Sequence, residues 1–116
     1  MRKPLVRLYP TQILAMPWER PEGAAEGVFH KILARDSETG SHTRLLRVEP
    51  GVDTRVYEHD HWEEVYILQG GYQIGDEYHP TGTYTCKPPH VKHGPFSSTE
   101  GYLCLEIRDY APVGGN

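Results

Sequence analysis

Apolar and polar residues alternate in short runs along most of this chain, and turn residues bound nearly every run. Alternation with a period of two is the mark of a half-buried strand. Short runs of β-branched and aromatic residues between turn residues predict strands over Val28–Arg35 and Thr43–Val48, joined by the turn DSETG at 36–40. Pro50-Gly51 then turns the chain into a pair, Thr54–His59 and Glu63–Leu68, which ends at the bend Gly70-Gly71. Tyr72–Ile74 and Glu77–His79 flank the turn-prone Gly75-Asp76. Pro80–Gly82 leads into Thr83–Lys87; Pro88-Pro89 stops that strand, because proline cannot donate into a ladder. Lys92–Ser97 and Tyr102–Arg108 complete the series. No stretch of a dozen residues carries apolar positions at helical spacing without a breaker, so little helix is expected.

The ends read differently. In residues 1–27, Leu5–Leu8 has the character of an edge or exchanged strand, whereas Pro17, Pro21, Gly23 and Gly27 impose an irregular path. Trp18 is expected to plug this arm against the body of the domain. The chain is therefore read as one domain: an arm at 1–27, a barrel at 28–108 and a frayed tail at 109–116.

Composition narrows the class. With 8 Tyr, 12 Gly and 10 Pro in 116 residues, many short strands between turns make an all-β sandwich or barrel, long enough to bury a core without staples. A net charge of −4 with scattered basic residues argues against nucleic acid as a partner. No apolar run is long enough to span a membrane, and Pro4, Pro10 and Gln12 break the N-terminus before it can form the apolar core of a signal peptide. A cytoplasmic location follows as an expectation. There Cys86 and Cys104 should be small buried hydrophobes rather than a disulfide.

The candidate chemistry lies in two stretches. PGVDTRVYEHDHWEEVYILQG (50–70) places His59, His61, Glu58, Glu63 and Glu64 between two strand-like runs. GTYTCKPPHVKHGP (82–95) places His90 and His93 beside the double proline. If Asp60-His61-Trp62 is a three-residue hairpin connection, His59 and Glu63 flank the turn and face inwards, with His61 in the turn and able to swing in. The restart of the chain after Pro88-Pro89 can aim His93 at the same point. Two imidazoles, a carboxylate and one further donor suit Fe(II), Mn(II), Ni(II) or Zn(II). Arg55, Trp62 and Phe96 are candidates for the wall of a substrate pocket, and Arg55 could meet an anionic substrate. His30, His42 and His79 are expected at the surface or rim.

These two stretches resemble the paired signature motifs of the cupin superfamily. Counted from Gly51, Tyr57 falls where the first histidine of the first motif belongs; His59 falls on the second histidine, Glu63 on the glutamate and Gly70 on the closing glycine. In the second motif Gly82, Pro88 and His93 match, and His90 stands in place of a glycine. The resemblance implies a cupin barrel, that is, a double-stranded β-helix or jelly roll. Residues 28–108 are similar to the single-domain cupins grouped with acetylacetone dioxygenase and with the metal-binding domain of ChrR-type anti-sigma factors. It implies one divalent metal, Fe(II) for the dioxygenases and zinc for the anti-sigma domains, with His59, Glu63 and His93 as ligands. Tyr57 departs from the pattern: either the ligand set is incomplete or His61 replaces the missing imidazole. Tyr57 could then donate a hydrogen bond to substrate.

The function expected is a metal-dependent enzyme acting on a small carbonyl or enolisable compound, in its sharpest form an Fe(II) dioxygenase cleaving a carbon–carbon bond of a diketone or aryl ketone. The alternative is a non-catalytic small-molecule-binding or metal-sensing module. Cupins commonly pair through sheet edges or exchanged arms, so a homodimer is expected as well.

Overall fold

The computed structural model describes residues 2–53 and 57–111, with the side chains of all of these but Tyr57, Glu58 and His93. Ten strands and one short helix follow one another: α1 (Pro10–Ala15), β1 (Val28–Arg35), β2 (His42–Val48), β3 (Tyr57–Glu58), β4 (Trp62–Gly70), β5 (Tyr72–Ile74), β6 (Glu77–His79), β7 (Tyr84–Lys87), β8 (Lys92–His93), β9 (Phe96–Ser97) and β10 (Tyr102–Asp109). They form an antiparallel five-stranded sheet in the order β1-β2-β10-β4-β7, a three-stranded sheet β6-β5-β9 and a two-stranded ribbon β3-β8. This is the jelly roll expected of an all-β cupin chain. Strand boundaries agree with the turn-bounded runs almost to the residue in β1, β5, β6 and β10.

The register of the large sheet stratifies its inner face. Directly paired residues share a face, and rows two residues apart share it too. His42, Arg108, Glu63 and Lys87 form the first inner row, and Arg44, Glu106, Val65 and Thr85 the second. The third is Leu46, Cys104 and Ile67; the fourth is Val28, Val48 and Tyr102. One end of the interior is thus ionic and the other apolar. Tyr72 and Phe96 pack onto the apolar rows from the small sheet, their rings meeting edge to face at 5.4 Å. Ile67 and Cys104, each 1% exposed, lie at its centre.

Several expectations are corrected. The hairpin expected between 54–59 and 63–68 is not the pairing of the described residues: β3 (57–58) pairs with β8, and β4 pairs with β10 and β7, while 54–56 lie outside the described residues. Residues 59–61 instead carry the chain from one sheet to the other. Leu5–Leu8 forms no strand; the arm crosses near Thr43, whose hydroxyl accepts from Lys3 Nζ at 3.0 Å, and then makes α1. Pro10 starts that helix with the φ it already has, Gln12 Oε1 accepts the Tyr9 N–H at 2.7 Å, and Pro17 follows its end. Trp18 is a plug of an unexpected kind. It stacks on the cations Lys31 (4.5 Å) and Arg47 (4.8 Å) rather than on apolar residues. Both cysteines are free, as expected, but Cys86 is exposed and only Cys104 is buried. His79 is buried, bonded to Glu77 at 2.7 Å, and His30 is half-buried with its Nδ1 accepting from Arg44 at 2.8 Å; neither is a surface histidine. Among the described residues no helix is long and apolar enough to cross a membrane.

Gly70 marks where β4 turns off the sheet. Its φ is +70°, and a Cβ there would stand 2.1 Å from the Gly101 carbonyl oxygen. Gly70→Ala should therefore cost at least about 2 kcal/mol, from the left-handed backbone and the clash together. Urea unfolding of the variant measures it, and a loss below about 0.5 kcal/mol would mean that the two strands do not approach so closely.

A candidate metal centre at the ionic end of the lumen

Between the two sheets lies a cavity of about 640 Å³, lined at one end by His59, Glu63, Lys87, Arg44, Glu106 and Arg108. Its walls continue over Leu46, Val65, Cys104 and Phe96 to Val28, Val48 and Tyr102. Pro21–Ala25 and Asp53 complete the lining beside Val28; Glu22 and Asp53 are exposed there, so the cavity meets solvent at its apolar end.

The ionic end is a chain of contacts that crosses four strands. Glu106 Oε1 accepts from Arg44 Nε at 2.8 Å and lies 2.6 Å from Arg44 Nη2. It also accepts from Arg108 Nε at 2.7 Å. Arg108 Nη2 reaches Glu63 Oε1 at 3.1 Å, and Lys87 Nζ reaches Glu63 Oε2 at 3.3 Å. Burial alone would raise the Glu106 carboxyl, but the Arg108 and Arg44 charges overcome it and hold the pKa well below the ordinary 4.5. A buried carboxylate without such partners would take up a proton.

His59 and His61 stand over this row. Their rings lie 4.5 Å apart, and Tyr110 lies 4.5 Å from the far side of His61. One donor atom each from His59, His61 and Glu63 can be chosen so that all three lie within 4.8 Å of one another. His61 is 5% exposed, and its Nε2 has no hydrogen-bond partner among the described residues. A buried bare imidazole nitrogen is an observation in want of a partner, and a divalent ion between these three groups would supply one. The electrostatics agree. Burial, then the nearby Arg108 charge, lowers the pKa of both His59 and His61, which favours the neutral ring that a metal requires. Against this, both Glu63 oxygens are already engaged by Arg108 and Lys87, so coordination through Glu63 would loosen one of those contacts. The set as a whole fits a divalent ion.

The remaining candidates fall as follows. His93 belongs to β8, whose backbone pairs with Tyr57, and the His90 N–H donates to the His59 carbonyl at 2.7 Å, so the second stretch does meet the first. The side chains of His93 and Tyr57 lie outside the described residues, as does all of Arg55. Phe96 lines the lumen. Trp62 does not: alternation along β4 turns it outwards, half exposed, into a groove beside Asp60, His61 and Tyr110. His61, read as a turn residue, is instead buried where the chain crosses between sheets. Sequence reasoning passed over Arg44, Lys87, Glu106 and Arg108; their shared phase within the strands was the signal available.

Four histidines share one titration behaviour. Burial is the leading cause that lowers His30, His42, His59 and His61 from 6.5, and Arg44 or Arg108 adds to it. Folded, they stay neutral at a pH where the unfolded chain has begun to bind protons. Stability is therefore full above 6.5 and falls as pH drops below it, and Glu106 adds a second loss from 4.5 downward. Unfolding free energy measured in urea should be level between about pH 7 and 8 and decline steadily from about pH 6.5 to 5. A level profile through the lower interval would contradict the buried neutral rings.

The comparisons with known proteins agree with this architecture. No curated protein matches the sequence. Among solved structures, an RmlC-like cupin from Shewanella frigidimarina is 18% identical, with 96% of each chain covered and a TM-score of 0.72. An acetylacetone dioxygenase from Acinetobacter johnsonii is 13% identical over 100% of this chain and 83% of its own, with a TM-score of 0.68. A chain of the complex between SigE and the anti-sigma ChrR of Rhodobacter sphaeroides is 20% identical over 82% of this chain and 50% of its own, with a TM-score of 0.62. At such identities the likeness is one of fold. The family model described as the ChrR cupin-like domain matches residues 9–109, nearly the whole chain, and with the jelly roll and its His-His-Glu group in place the protein belongs to that family of cupins.

Proposed function

We propose that the protein is a metal-dependent cupin enzyme that takes a small carbonyl or enolisable compound into the lumen. The observation that carries this reading is the grouping of His59, His61 and Glu63, with donor atoms within 4.8 Å, two of which, His59 and Glu63, line the ionic end of a cavity of about 640 Å³. These three would hold one divalent ion, Fe(II) in the sharpest form of the proposal, with His93 as a fourth ligand and His61 standing in for the imidazole that Tyr57 replaces. When bound, the ion supplies Lewis acidity toward a substrate carbonyl and, if it is iron, access to O2.

The chain's own residues supply the rest. Apolar walls at Leu46, Val65 and Phe96 exclude water from the reacting atoms. Arg108 and Lys87 set positive charge where an enolate or carboxylate oxygen forms. Burial pushes the Tyr72 phenol up to about 12, so it remains a neutral hydroxyl in the lumen wall. Tyr57 remains the candidate hydrogen-bond donor to substrate. For a β-diketone the overall change would be RCOCH2COR′ + O2 → RCOOH + OHC–CO–R′, in which both oxygen atoms enter the products and one carbon–carbon bond breaks. A second reading, a metal-sensing module without turnover, is supported by the match to the ChrR cupin-like family and by the SigE–ChrR neighbour.

Elemental analysis of freshly purified protein should find about one divalent ion per chain, and His61→Ala or Glu63→Gln should weaken binding about 10-fold or more, the scale on which ligand-shell changes act. An oxygen electrode then separates the readings. Consumption by Fe(II)-loaded protein with a diketone or hydroxyaryl ketone supports the enzyme. Full metal occupancy without consumption on any such compound leaves the sensing module, and no bound ion removes both.

The proposal includes a homodimer. Leu45, Leu103, Leu105 and Ile107 form a half-buried apolar band on the outer face of the large sheet, continued by exposed Tyr66, Leu68 and Tyr84. The arm borders this face and leaves Leu5 93% exposed. Contiguous apolar surface of this kind marks an association site. Sedimentation equilibrium should give twice the chain mass for the wild type and a monomer for Leu105→Arg. A monomeric wild type at micromolar concentration would remove the dimer.

A further inference from the structure

The lumen's ionic end has an excess of positive charge. Three cations, Arg44, Lys87 and Arg108, face two carboxylates, Glu63 and Glu106. The contacts are unevenly shared. Arg44 and Arg108 both grip Glu106 at 2.8 Å or less, and Arg108 also reaches Glu63. Lys87 is 8% exposed, and its anionic partner among the described residues is a single Glu63 oxygen at 3.3 Å, long for a charge-assisted hydrogen bond. Its other neighbour is the face of Phe96, 4.7 Å from Nζ to the ring centroid. An ammonium carries three donors, and of the cations in this ionic row Lys87 has the weakest hold on a carboxylate among the described residues.

Away from Lys87 the cavity becomes apolar through Leu46, Val65, Cys104 and Val48. At the solvent-facing end stand the carboxylates of Glu22 and Asp53. They repel an anionic head group at the entrance and favour it at the far end, so a ligand with one charged and one apolar end has one preferred direction. Both charge and shape point the same way.

We infer that the lumen binds a small monocarboxylate with an apolar body, its carboxylate held by Lys87 with Arg108 beside it and its hydrocarbon part on Leu46, Val65 and Phe96. This deepens the proposed function by naming the substrate class, and it rests on that reading only in taking the lumen as the substrate chamber. Lys87 is then a residue that touches substrate. A divalent ion on Glu63 would draw that carboxylate away from Lys87 and add positive charge, so ion and carboxylate should each tighten the other's binding.

Isothermal titration of the full-length protein with hexanoate, hexanamide and acetate, in EDTA-dialysed and Mn(II)-loaded samples, tests this. Hexanoate should bind about 10-fold more tightly than hexanamide, since a charge-assisted contact replaces a neutral one. It should also bind at least about 10-fold more tightly than acetate, from the added buried methylenes. Lys87→Met should lose the preference over hexanamide, and Lys87→Arg should restore most of it. Equal affinity for hexanoate and hexanamide, or for hexanoate and acetate, overturns the inference, as does a folded Lys87→Met that binds like the wild type. If Lys87→Met does not fold, the wild-type comparisons decide alone. Absence of Mn(II) binding would sink the metal reading while the EDTA-dialysed samples still test the carboxylate.

Discussion

The carboxylate of Glu63 is the constraint around which the interior is arranged. It is 3% exposed, where an unpaired charge would be costly, and it receives Arg108 on one oxygen and Lys87 on the other. Arg108 in turn has to be held off by Glu106, and Glu106 brings Arg44. Each charge is admitted only because the next is present, and the series runs across β7, β4, β10 and β2 along paired positions. Buried ion pairs are a poor source of stability, since desolvation takes back most of the attraction. The stability of the sandwich must come from the apolar rows below, around Ile67 and Cys104.

That division explains why the strands were legible and their faces were not. Turn residues around short β-rich runs located β1, β5, β6 and β10 almost to the residue, whichever side is buried; the alternation of faces along a strand carries more than bounds. It also carries a preference, apolar inwards, and in β10 this preference is inverted. Leu103, Leu105 and Ile107 face out and are half-buried, while Cys104 and Glu106 face in. Pairing settles the matter: Glu106 opposes Arg44 and Val65 on one inner row, an arrangement that local pattern cannot express. The apolar outer band is the other half of the same inversion.

The candidate metal centre was legible through spacing rather than through the path of the chain. A hairpin would bring His59 and Glu63 together, but the strands that flank them, β3 and β4, belong to different sheets. What joins them is the crossover at 59–61, and a crossover is set by long-range pairing, here β3 with β8 and β4 with β10 and β7. The same crossover buries His61 against Tyr110, where a hairpin turn would have left it in solvent. His90 marks the other departure from the family pattern. Its φ of +66° is the left-handed conformation that the glycine normally found there adopts freely, and its N–H binds the His59 carbonyl.

Two demands meet at Glu63, and they pull in opposite directions. The cations on either side stabilise it as an ion, and the same cations compete with any metal for its oxygens. The competition is unequal. Arg108 keeps Glu106 whichever way Glu63 turns, whereas Lys87 has no second carboxylate among the described residues. A metal arriving between His59, His61 and Glu63 would therefore displace Lys87 more readily than Arg108, and the released ammonium would face the lumen. Charge added at one side of the carboxylate frees charge at the other, so the empty and the loaded interior differ in what they offer an incoming ligand even if no strand moves. A single buried carboxylate shared in this way is enough to couple two sites within one small sandwich.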